Sequence, residues 1–409
     1  MRKASILIVL VLIFSMFSAT ISAEQDESIM DFESLSALCE PYGFTLGTVI
    51  NPSIISDKTQ SELILTEFNS VTFANEAKAY SLLNQSMCKS SPDGMPRMNF
   101  HTADKMMDWC QNNGLHVRGH VLVWDAYMPD WFFREYYMNN TPFVDTETMK
   151  LRVQSYIEQV ITHFEENYPG VIYCWDVVNE AVGDNASEWI PGDSRHLRTI
   201  RSGTSNLFRD VIGDDYVEYA FLCAHETVQK LGADIKLFYN DYNAFDTNKS
   251  NAIVALVNSI NNYAVDADGL PVKLIDGVGM QGYIGGYGSQ NGCLNMNDIE
   301  KIRSCILKYA DLGCEVHITE MALRCYESGD AWMEKHADFY AAMFKMLTSI
   351  NTDTSSPLTN VTIWGLFDCE YLPTSNYTWK LNSPYGGLFT SGCAIKPAFR
   401  SVYQVLKGE

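Results

Sequence analysis

The chain has 409 residues, of which 46% are hydrophobic and 19% are charged, and this composition excludes disorder over most of its length. Aspartate and glutamate total 50 against 29 lysines and arginines, so the formal net charge at pH 7 is −21. Such an acidic balance argues against nucleic acid or an anionic membrane as the partner, and it suits a soluble protein that meets a neutral ligand.

The first 23 residues have the pattern of a secretory signal peptide. Arg2 and Lys3 form a charged start, residues 6–17 are apolar except for Ser15, and small residues precede Glu24. The apolar run is shorter than the ~20 residues that a transmembrane helix needs. We expect cleavage near Glu24 and a secreted, extracellular protein, and an uncleaved N-terminal anchor is the alternative.

After a polar lead-in and a first helix at residues 24–43, the chain alternates short apolar runs with amphipathic segments up to residue 409. Runs rich in β-branched residues predict eight strands, at 44–49, 70–73, 116–123, 171–178, 236–239, 277–280, 315–319 and 361–366. Apolar residues at helical spacing predict helices between them, at 151–168, 217–231, 252–263, 298–312 and 331–350.

Eight strands that alternate with helices in one uninterrupted segment predict an α/β fold, a single-domain (β/α)8 TIM barrel over residues 44–409. The alternative is an open doubly wound sheet, which usually carries a glycine-rich phosphate-binding loop after its first strand. Here the first strand is followed by Asn51 and Pro52 with no such loop, so the barrel is favoured.

The eleven cysteines follow no regular spacing and include neither a C-x-x-C pair nor a cysteine–histidine group with zinc-ligand spacing. Several lie within apolar strand-like runs, as Cys174 does directly before Trp175. We expect mostly buried thiols, and one or two disulfides are the alternative.

Two glutamates stand where reactive residues of a barrel are found, at the carboxyl ends of strands. The fourth predicted strand leads into Asn179 and Glu180, and the seventh leads into Thr319 and Glu320. Two carboxyl groups on opposite walls of one mouth suit glycosidic cleavage. One donates a proton to the leaving oxygen, and the other attacks the anomeric carbon or activates water.

Amides, a lysine and large aromatic side chains follow the other predicted strands and would converge on the same mouth. Amides and lysine hydrogen-bond hydroxyl groups, and indole faces pack on the C–H faces of sugar rings. The residues are Asn75, Lys78, His120, Trp124, Asn240, Asp241, Tyr242, Asn243, Gln281, Tyr283 and Trp364. They predict a site for a hydroxyl-rich, ring-shaped ligand, although Asp241 is interpreted as structural.

With these residues in place, the chain resembles the family 10 glycoside hydrolases, whose main activity is endo-1,4-β-xylanase. The resemblance extends from about residue 44 to residue 406. The segments that carry it are RGHVLVW at 118–124, WDVVNEA at 175–181, YNDYN at 239–243, GVGMQG at 277–282, ITE at 318–320, WG at 364–365 and KPAF at 396–399.

The resemblance implies a retaining endo-1,4-β-xylanase that hydrolyses internal bonds of xylan by double displacement. It implies that Glu180 is the acid/base, that Glu320 is the nucleophile and that Asn179 holds the sugar 2-hydroxyl. Six further residues would line the glycone subsites: Asn75, Lys78, His120, Trp124, Gln281 and Trp364. Tyr242 and Tyr283 are also expected to contact substrate.

No metal or organic cofactor is expected, since an acid/base and a nucleophile suffice for this reaction. The expected partner is xylan or a xylo-oligosaccharide, with no nucleic acid and no membrane after signal removal, and we expect a monomer. One alternative is a retaining glycosidase of the same fold that acts on another β-glycan or on xylo-oligosaccharides. The other is a non-catalytic glycan-binding barrel, which the retention of both glutamates disfavours.

Four positions depart from the pattern of the family. Asp125 stands where a histidine usually follows the strand-three tryptophan, and Tyr283 stands where a histidine usually contacts the nucleophile. Ala74 replaces a common glutamate, and Leu372 occupies the place of a second tryptophan, for which Trp379 is a candidate substitute.

The two lost imidazoles bear on the ionisation of the nucleophile. A cationic imidazole beside Glu320 would lower its pKa, whereas the neutral phenol of Tyr283 does so more weakly, and an ionised Asp125 nearby would raise it. We therefore expect the acidic limb of the activity profile to lie at a higher pH than in relatives with both histidines.

Overall fold

The computed structural model describes residues 28–284, 294–325, 328–353, 355–368 and 384–409. The predicted signal peptide at residues 1–23 and the positions Leu372 and Trp379 lie outside these ranges. Within the described ranges, no helix combines the length and apolar character that crossing a membrane requires.

Eight parallel strands close into a barrel, which confirms the predicted (β/α)8 fold. In chain order they are β1 (Thr45–Ile50), β2 (Ser70–Phe73), β3 (His116–Val123), β4 (Ile172–Asn179), β5 (Lys236–Tyr242), β6 (Gly277–Gln281), β7 (Glu315–Leu323) and β8 (Leu358–Ile363). Each strand pairs with the next, and β8 returns to β1 with Leu46 opposite Val361. Closure therefore pairs every barrel strand on both sides.

Helices follow the strands and cover the outside of the barrel. Their bounds are Leu35–Cys39, Pro52–Ser56, Lys58–Glu67, Ala79–Leu82, Gln85–Lys89, His101–Asn112, Thr146–Asn167, Leu207–Ile212, Tyr216–Leu231, Thr247–Asn261, Asn297–Ala310, Asp330–Asp353 and Pro397–Lys407. The helix predicted from residue 151 begins at Thr146, because Asp145 caps it by accepting a hydrogen bond from the N–H of Thr148 at 2.7 Å.

Strands β5 and β7 extend further than predicted, at the end that carries the candidate site. Glu320 lies within β7 rather than in the loop after it. A short strand, Tyr283–Ile284, pairs with the last two residues of β7 and continues its hydrogen bonding past Glu320. By contrast, β8 ends before Trp364, which was predicted to lie inside that strand.

A buried ion pair joins the strands beneath the carboxyl ends of the barrel. Nη2 of Arg118 on β3 lies 2.8 Å from Oδ1 of Asp176 on β4, and both side chains are almost fully buried. Nδ1 of His120 lies 2.8 Å from the other carboxylate oxygen, and Nε of Arg118 contacts Nδ1 of His317 on β7 at 3.0 Å. Burial by itself would raise the pKa of Asp176, but Arg118 and His120 outweigh it and hold that pKa below its usual value.

Free thiols are mostly buried in the described ranges, as the sequence predicted. Buried examples are Cys39, Cys88, Cys110, Cys174, Cys223, Cys305 and Cys314, and Cys393 is half-buried. Burial raises the pKa of the Cys110 thiol to about 12. A thiol that stays protonated in this way is a packing group rather than a nucleophile.

Glycines in the barrel strands leave room for large neighbouring side chains. A Cβ at Gly119 on β3 would lie 2.3 Å from the ring of Trp175, which is fully buried on β4. Similarly, a Cβ at Gly277 would lie 2.1 Å from the ring of Phe238. The packing of adjacent strands at these points therefore depends on the absence of a side chain.

We predict that Gly119→Ala lowers the free energy of unfolding by about 1–3 kcal/mol, because the added methyl group overpacks a buried indole. Urea unfolding followed by tryptophan fluorescence measures the change. Gly392→Ala is the matched control, since a Cβ there has no neighbour closer than 3.9 Å and the residue is exposed. Equal unfolding midpoints for the two variants would contradict the close packing of Trp175.

Candidate active site

A cleft of about 540 Å³ opens at the carboxyl ends of the barrel strands. Its lining residues are Lys78, His120, Trp124, Ala126, Tyr127, Glu180, Glu188, Arg198, Arg201, Ser202, Tyr242, Gln281, Tyr283, Glu320 and Trp364. The residues expected to act in catalysis or to contact substrate all line this cleft except Asn75 and Asn179. Asn240, Asp241 and Asn243, which were also predicted to converge on the mouth, are not among its lining residues. The barrel thus gathers side chains that are far apart in the sequence onto one concave surface.

Glu180 directly follows β4 and is buried. Its Oε2 accepts a hydrogen bond from Nη1 of Arg201 at 2.8 Å, and its Oε1 accepts one from Nε2 of Gln281 at 3.1 Å. Its backbone φ is +57°, a left-handed conformation that is uncommon for a residue with a side chain. The peptide N–H is fixed by the carbonyl of Asn240 at 2.8 Å.

Glu320 on β7 is equally buried but has different partners. Its Oε1 accepts a hydrogen bond from Nδ2 of Asn240 at 3.2 Å, and its Oε2 accepts one from the Tyr283 hydroxyl. Burial raises the pKa of Glu320 above its usual value, and the charge of Glu180 adds to this effect. The charge of His120 and the Tyr283 hydrogen bond oppose the rise without cancelling it.

A chain of amides links the two carboxyl groups. Oδ1 of Asn179 accepts hydrogen bonds from Nδ2 of Asn240 at 3.0 Å and from Nε2 of Gln281 at 3.2 Å. Asn240 and Gln281 in turn donate to Glu320 and Glu180, respectively. Nδ2 of Asn179 is buried and has no hydrogen-bond partner among the described residues, so it is an unsatisfied donor next to both carboxyl groups' amide partners.

Lys78 and Trp124 form one wall of the cleft. Nζ of Lys78 lies 5.1 Å from the centre of the Trp124 ring, and burial lowers the pKa of this lysine although nearby carboxylates raise it. Asn75, which was predicted to line a glycone subsite, is exposed and lies beside the cleft, where its Oδ1 accepts from Lys78 Nζ at 3.1 Å. Ala74 beside it is half-buried.

The ring of Tyr242 lines the cleft, but its hydroxyl is turned to other protein groups. That hydroxyl donates a hydrogen bond to Asp184 and accepts one from Nη2 of Arg198 at 3.0 Å. His120 is buried under the cleft with its ring 5.9 Å from that of Trp124. Both residues are therefore held rigidly where a ligand would meet them.

Asp125 does not lie in the cleft as an unpaired charge beside Glu320, which was one of the expectations for this position. Its oxygens accept hydrogen bonds from Nε and Nη2 of Arg201, the latter at 2.8 Å, so its charge is compensated. Arg201 was not among the predicted site residues. The Ser202-Gly203 pair that follows it is a turn signal that predicts a hairpin at this point.

The arrangement provides two carboxyl groups with different surroundings at one cleft. Glu180 contacts a guanidinium and an amide, whereas Glu320 contacts a phenol and an amide. Such a pair can supply a proton and a nucleophile to a glycosidic bond held between them. Among the described residues, no three histidine, cysteine or acidic side chains are grouped so that they could hold a metal ion.

Comparison with known proteins agrees with this geometry. The model of glycosyl hydrolase family 10 matches residues 34–405. The chain belongs to glycosyl hydrolase family 10. The prediction that this protein is a glycoside hydrolase is therefore confirmed, and so is the family that its strand-end motifs indicated.

The similarity of this family 10 member to individual relatives extends over most of its length. A protein of Caldicellulosiruptor saccharolyticus is 36% identical over 335 residues, which are 80% of this chain and 96% of that protein. Endo-1,4-beta-xylanase Y of Acetivibrio thermocellus is 32% identical over 89% of this chain, which spans only 31% of that longer protein. An N-terminal endo-1,4-beta-D-xylanase of Clostridium thermocellum, solved with xylohexaose, gives a TM-score of 0.75 at 29% identity, covering 91% of this chain and 68% of that one.

We predict that Tyr283→Phe moves the acidic limb of kcat/KM to a higher pH, by about one unit. The hydroxyl now stabilises the ionised form of Glu320, so its loss raises the pKa of Glu320 further. A nucleophile with a higher pKa is ionised only at higher pH, which sets the direction of the shift. The measurement is kcat/KM on a soluble glycan as a function of pH.

Tyr219→Phe is the matched control for this change. The Tyr219 hydroxyl donates to the carbonyl of Lys150 at 3.2 Å on the outer helices, away from the cleft. This variant should keep the wild-type profile. An acidic limb that stays in place in Tyr283→Phe, with the fold intact, would contradict the role of the phenol.

Proposed function

We propose that this protein is a secreted, retaining endo-1,4-β-xylanase that cleaves internal β-1,4-xylosidic bonds of xylan by double displacement. The observation that carries the proposal is the meeting of two buried carboxyl groups, Glu180 and Glu320, in one cleft. The names of the A. thermocellus and C. thermocellum relatives support xylan as the substrate class.

In the first step, the Glu320 carboxylate attacks the anomeric carbon while Glu180 gives its proton to the leaving glycosidic oxygen. A covalent glycosyl-enzyme forms and the aglycone part of the chain departs. The neutral phenol of Tyr283 and the amide of Asn240 hold Glu320 by one oxygen each, and this orients the attacking carboxylate.

In the second step, Glu180 acts as a base and takes a proton from the water that attacks the glycosyl-enzyme. Glu180 is then reprotonated, Glu320 is released and the anomeric configuration is retained. This route requires the two carboxyl groups to lie about 5–5.5 Å apart, since a wider gap would admit a water molecule and favour inversion.

Substrate contacts in this proposal use groups that the fold leaves available. The unpartnered Nδ2 of Asn179 would donate to the sugar 2-hydroxyl beside Glu320. The ammonium of Lys78 would donate to hydroxyls of the glycone sugars. The indoles of Trp124 and Trp364, which both line the cleft, would pack on the C–H faces of sugar rings.

We predict that the wild-type protein lowers the viscosity of soluble xylan early in the reaction and releases a series of oligosaccharides. Glu320→Ala should lose several orders of magnitude in kcat, because the covalent intermediate cannot form without the nucleophile. Product chromatography on decorated xylan and on linear xylo-oligosaccharides measures both the activity and the substrate class.

Glu180→Ala separates the acid role from the nucleophile. Aryl glycosides with good leaving groups need little protonation, so this variant should retain more of its activity on them than on xylan. Equal losses on both substrates would count against the acid role. Binding of xylan without turnover by the wild-type protein would favour a non-catalytic glycan-binding barrel.

Secretion is proposed from the N-terminal pattern alone, the charged Arg2 and Lys3 followed by a short apolar run. We predict that the protein collected outside producing cells begins near Glu24, which N-terminal sequencing would detect. Recovery of the protein in the membrane fraction with Met1 intact would instead indicate an anchor.

A further inference from the structure

A short hairpin after β4 places an arginine against the candidate acid/base. Ile200–Arg201 pairs in antiparallel fashion with Thr204–Ser205, and the turn between them is Ser202-Gly203. Both turn residues have positive φ, +48° and +81°, as in the two-residue turns that match the twist of a hairpin. Arg201 therefore projects from a regular element rather than from a loose loop.

The base of the hairpin is tied to the barrel. Asn206, which is fully buried, donates from Nδ2 to the carbonyl of Arg198 at 3.0 Å. Nη1 of Arg198 pairs with Oε2 of Glu188 at 3.0 Å, and the Thr199 N–H donates to the Glu188 carbonyl at 2.6 Å. These contacts fix the position of Arg201 relative to the cleft.

Arg201 contacts two carboxylates at the same time. Its Nη1 donates to Oε2 of Glu180 at 2.8 Å, and its Nη2 donates to the Glu180 carbonyl at 2.9 Å. Its Nε lies 3.1 Å from both oxygens of Asp125, and Nη2 lies 2.8 Å from Oδ1. The exposed fraction of the side chain is only 20% for Arg201, 10% for Glu180 and 7% for Asp125. Water therefore screens these charges weakly.

We propose that Arg201 positions the Glu180 carboxyl and controls its proton occupancy, and that Asp125 holds Arg201 in place while offsetting part of its charge. The inference rests on the proposed acid/base role of Glu180. It gives a role to Asp125, which stands where the family has a histidine: the carboxylate secures an arginine that a histidine could not hold in the same way.

The two charged partners, Arg201 and Asp125, affect the ionisation of Glu180 in opposite directions. Arg201 favours the ionised form of Glu180, which serves as the base of the second step, and disfavours the protonated form that serves in the first. Asp125 weakens this effect. The other titratable or charged groups that face Glu180 or contact its backbone are Lys78, His120, Tyr127, Glu188, Arg198, Asp241, Tyr242, Tyr283 and Glu320.

Removing the cation at Arg201 and removing the anion at Asp125 should therefore shift the pH profile in opposite directions. Arg201→Gln removes the cation and leaves Asp125 unpaired, so the alkaline limb of kcat/KM on xylan should move to higher pH by about one unit or more. Asp125→Asn keeps an amide oxygen that can accept from Arg201 but removes the negative charge, so the full charge of Arg201 acts on Glu180 and the same limb should move to lower pH. Arg201→Lys keeps the charge and should stay nearest to the wild type.

A readout that needs no substrate separates this inference from the proposed function. Carbon-13 NMR of glutamate-labelled protein follows the titration of the Glu180 carboxyl, which is assigned by its absence in Glu180→Gln. The midpoint should rise in Arg201→Gln and fall in Asp125→Asn. If the two variants show these shifts but the wild-type protein does not cleave xylan, the inference is supported and the proposed function is overturned.

Arg209→Gln is the control, because Arg209 pairs with Asp210 and Asp214 on the outside of the barrel and is not among the residues that line the cleft. Thermal unfolding establishes that each variant is folded. If Arg201→Gln does not fold, Asp125→Asn alone decides, since an unchanged or raised Glu180 midpoint in it overturns the proposal. Shifts of the same sign in both variants, with xylan cleavage intact, would also overturn the proposal and indicate that Arg201 has only a structural role.

Discussion

Two carboxyl groups that share a largely buried cleft repel one another, and most of the site is organised around that constraint. Glu180 and Glu320 can face one ligand only if each is held against the repulsion by its own donors. Glu180 has the guanidinium of Arg201 and the amide of Gln281, and Glu320 has the Tyr283 phenol and the Asn240 amide. The different donors give the two groups different chemistry, which is what a reaction with one proton donor and one nucleophile requires.

The support for these donors comes from the interior of the barrel. Asn179 accepts from both of the amides that contact the glutamates, so the two carboxyl groups belong to one hydrogen-bonded network. Directly beneath it, Arg118 and Asp176 form a buried ion pair that joins β3 to β4 and reaches His120. A buried polar network of this kind depends on hydrogen-bond partners for its members, and β3, β4, β5, β6 and β7 contribute them. Rigidity at the cleft is thus a property of the barrel and not of the loops alone.

The departures from the family pattern become interpretable when their contacts are known. Tyr283 stands where the family usually has a histidine and donates a hydrogen bond to Glu320, so Glu320 has a phenol there in place of a titrating imidazole. Asp125 stands in place of another imidazole and pairs with Arg201, which also contacts Glu180. Tyr283 contacts Glu320 directly and Asp125 reaches Glu180 through Arg201, so both departures lie beside the carboxyl pair.

Sequence periodicity and strand-end motifs determined the barrel, the family and the positions of Glu180 and Glu320, because each of these depends on residues that are close together in the chain. The extension of β7 past Glu320 escaped prediction, since it arises from pairing with Tyr283–Ile284. Arg201 escaped for the same reason: its partner Asp125 lies 76 residues away, and no local pattern links them. The exposure of Asn75 and the engagement of the Tyr242 hydroxyl with Asp184 were likewise decided by tertiary packing. Secondary structure and motifs depend on short segments of the chain. The charges around each carboxyl group come from side chains that only the closed barrel brings together.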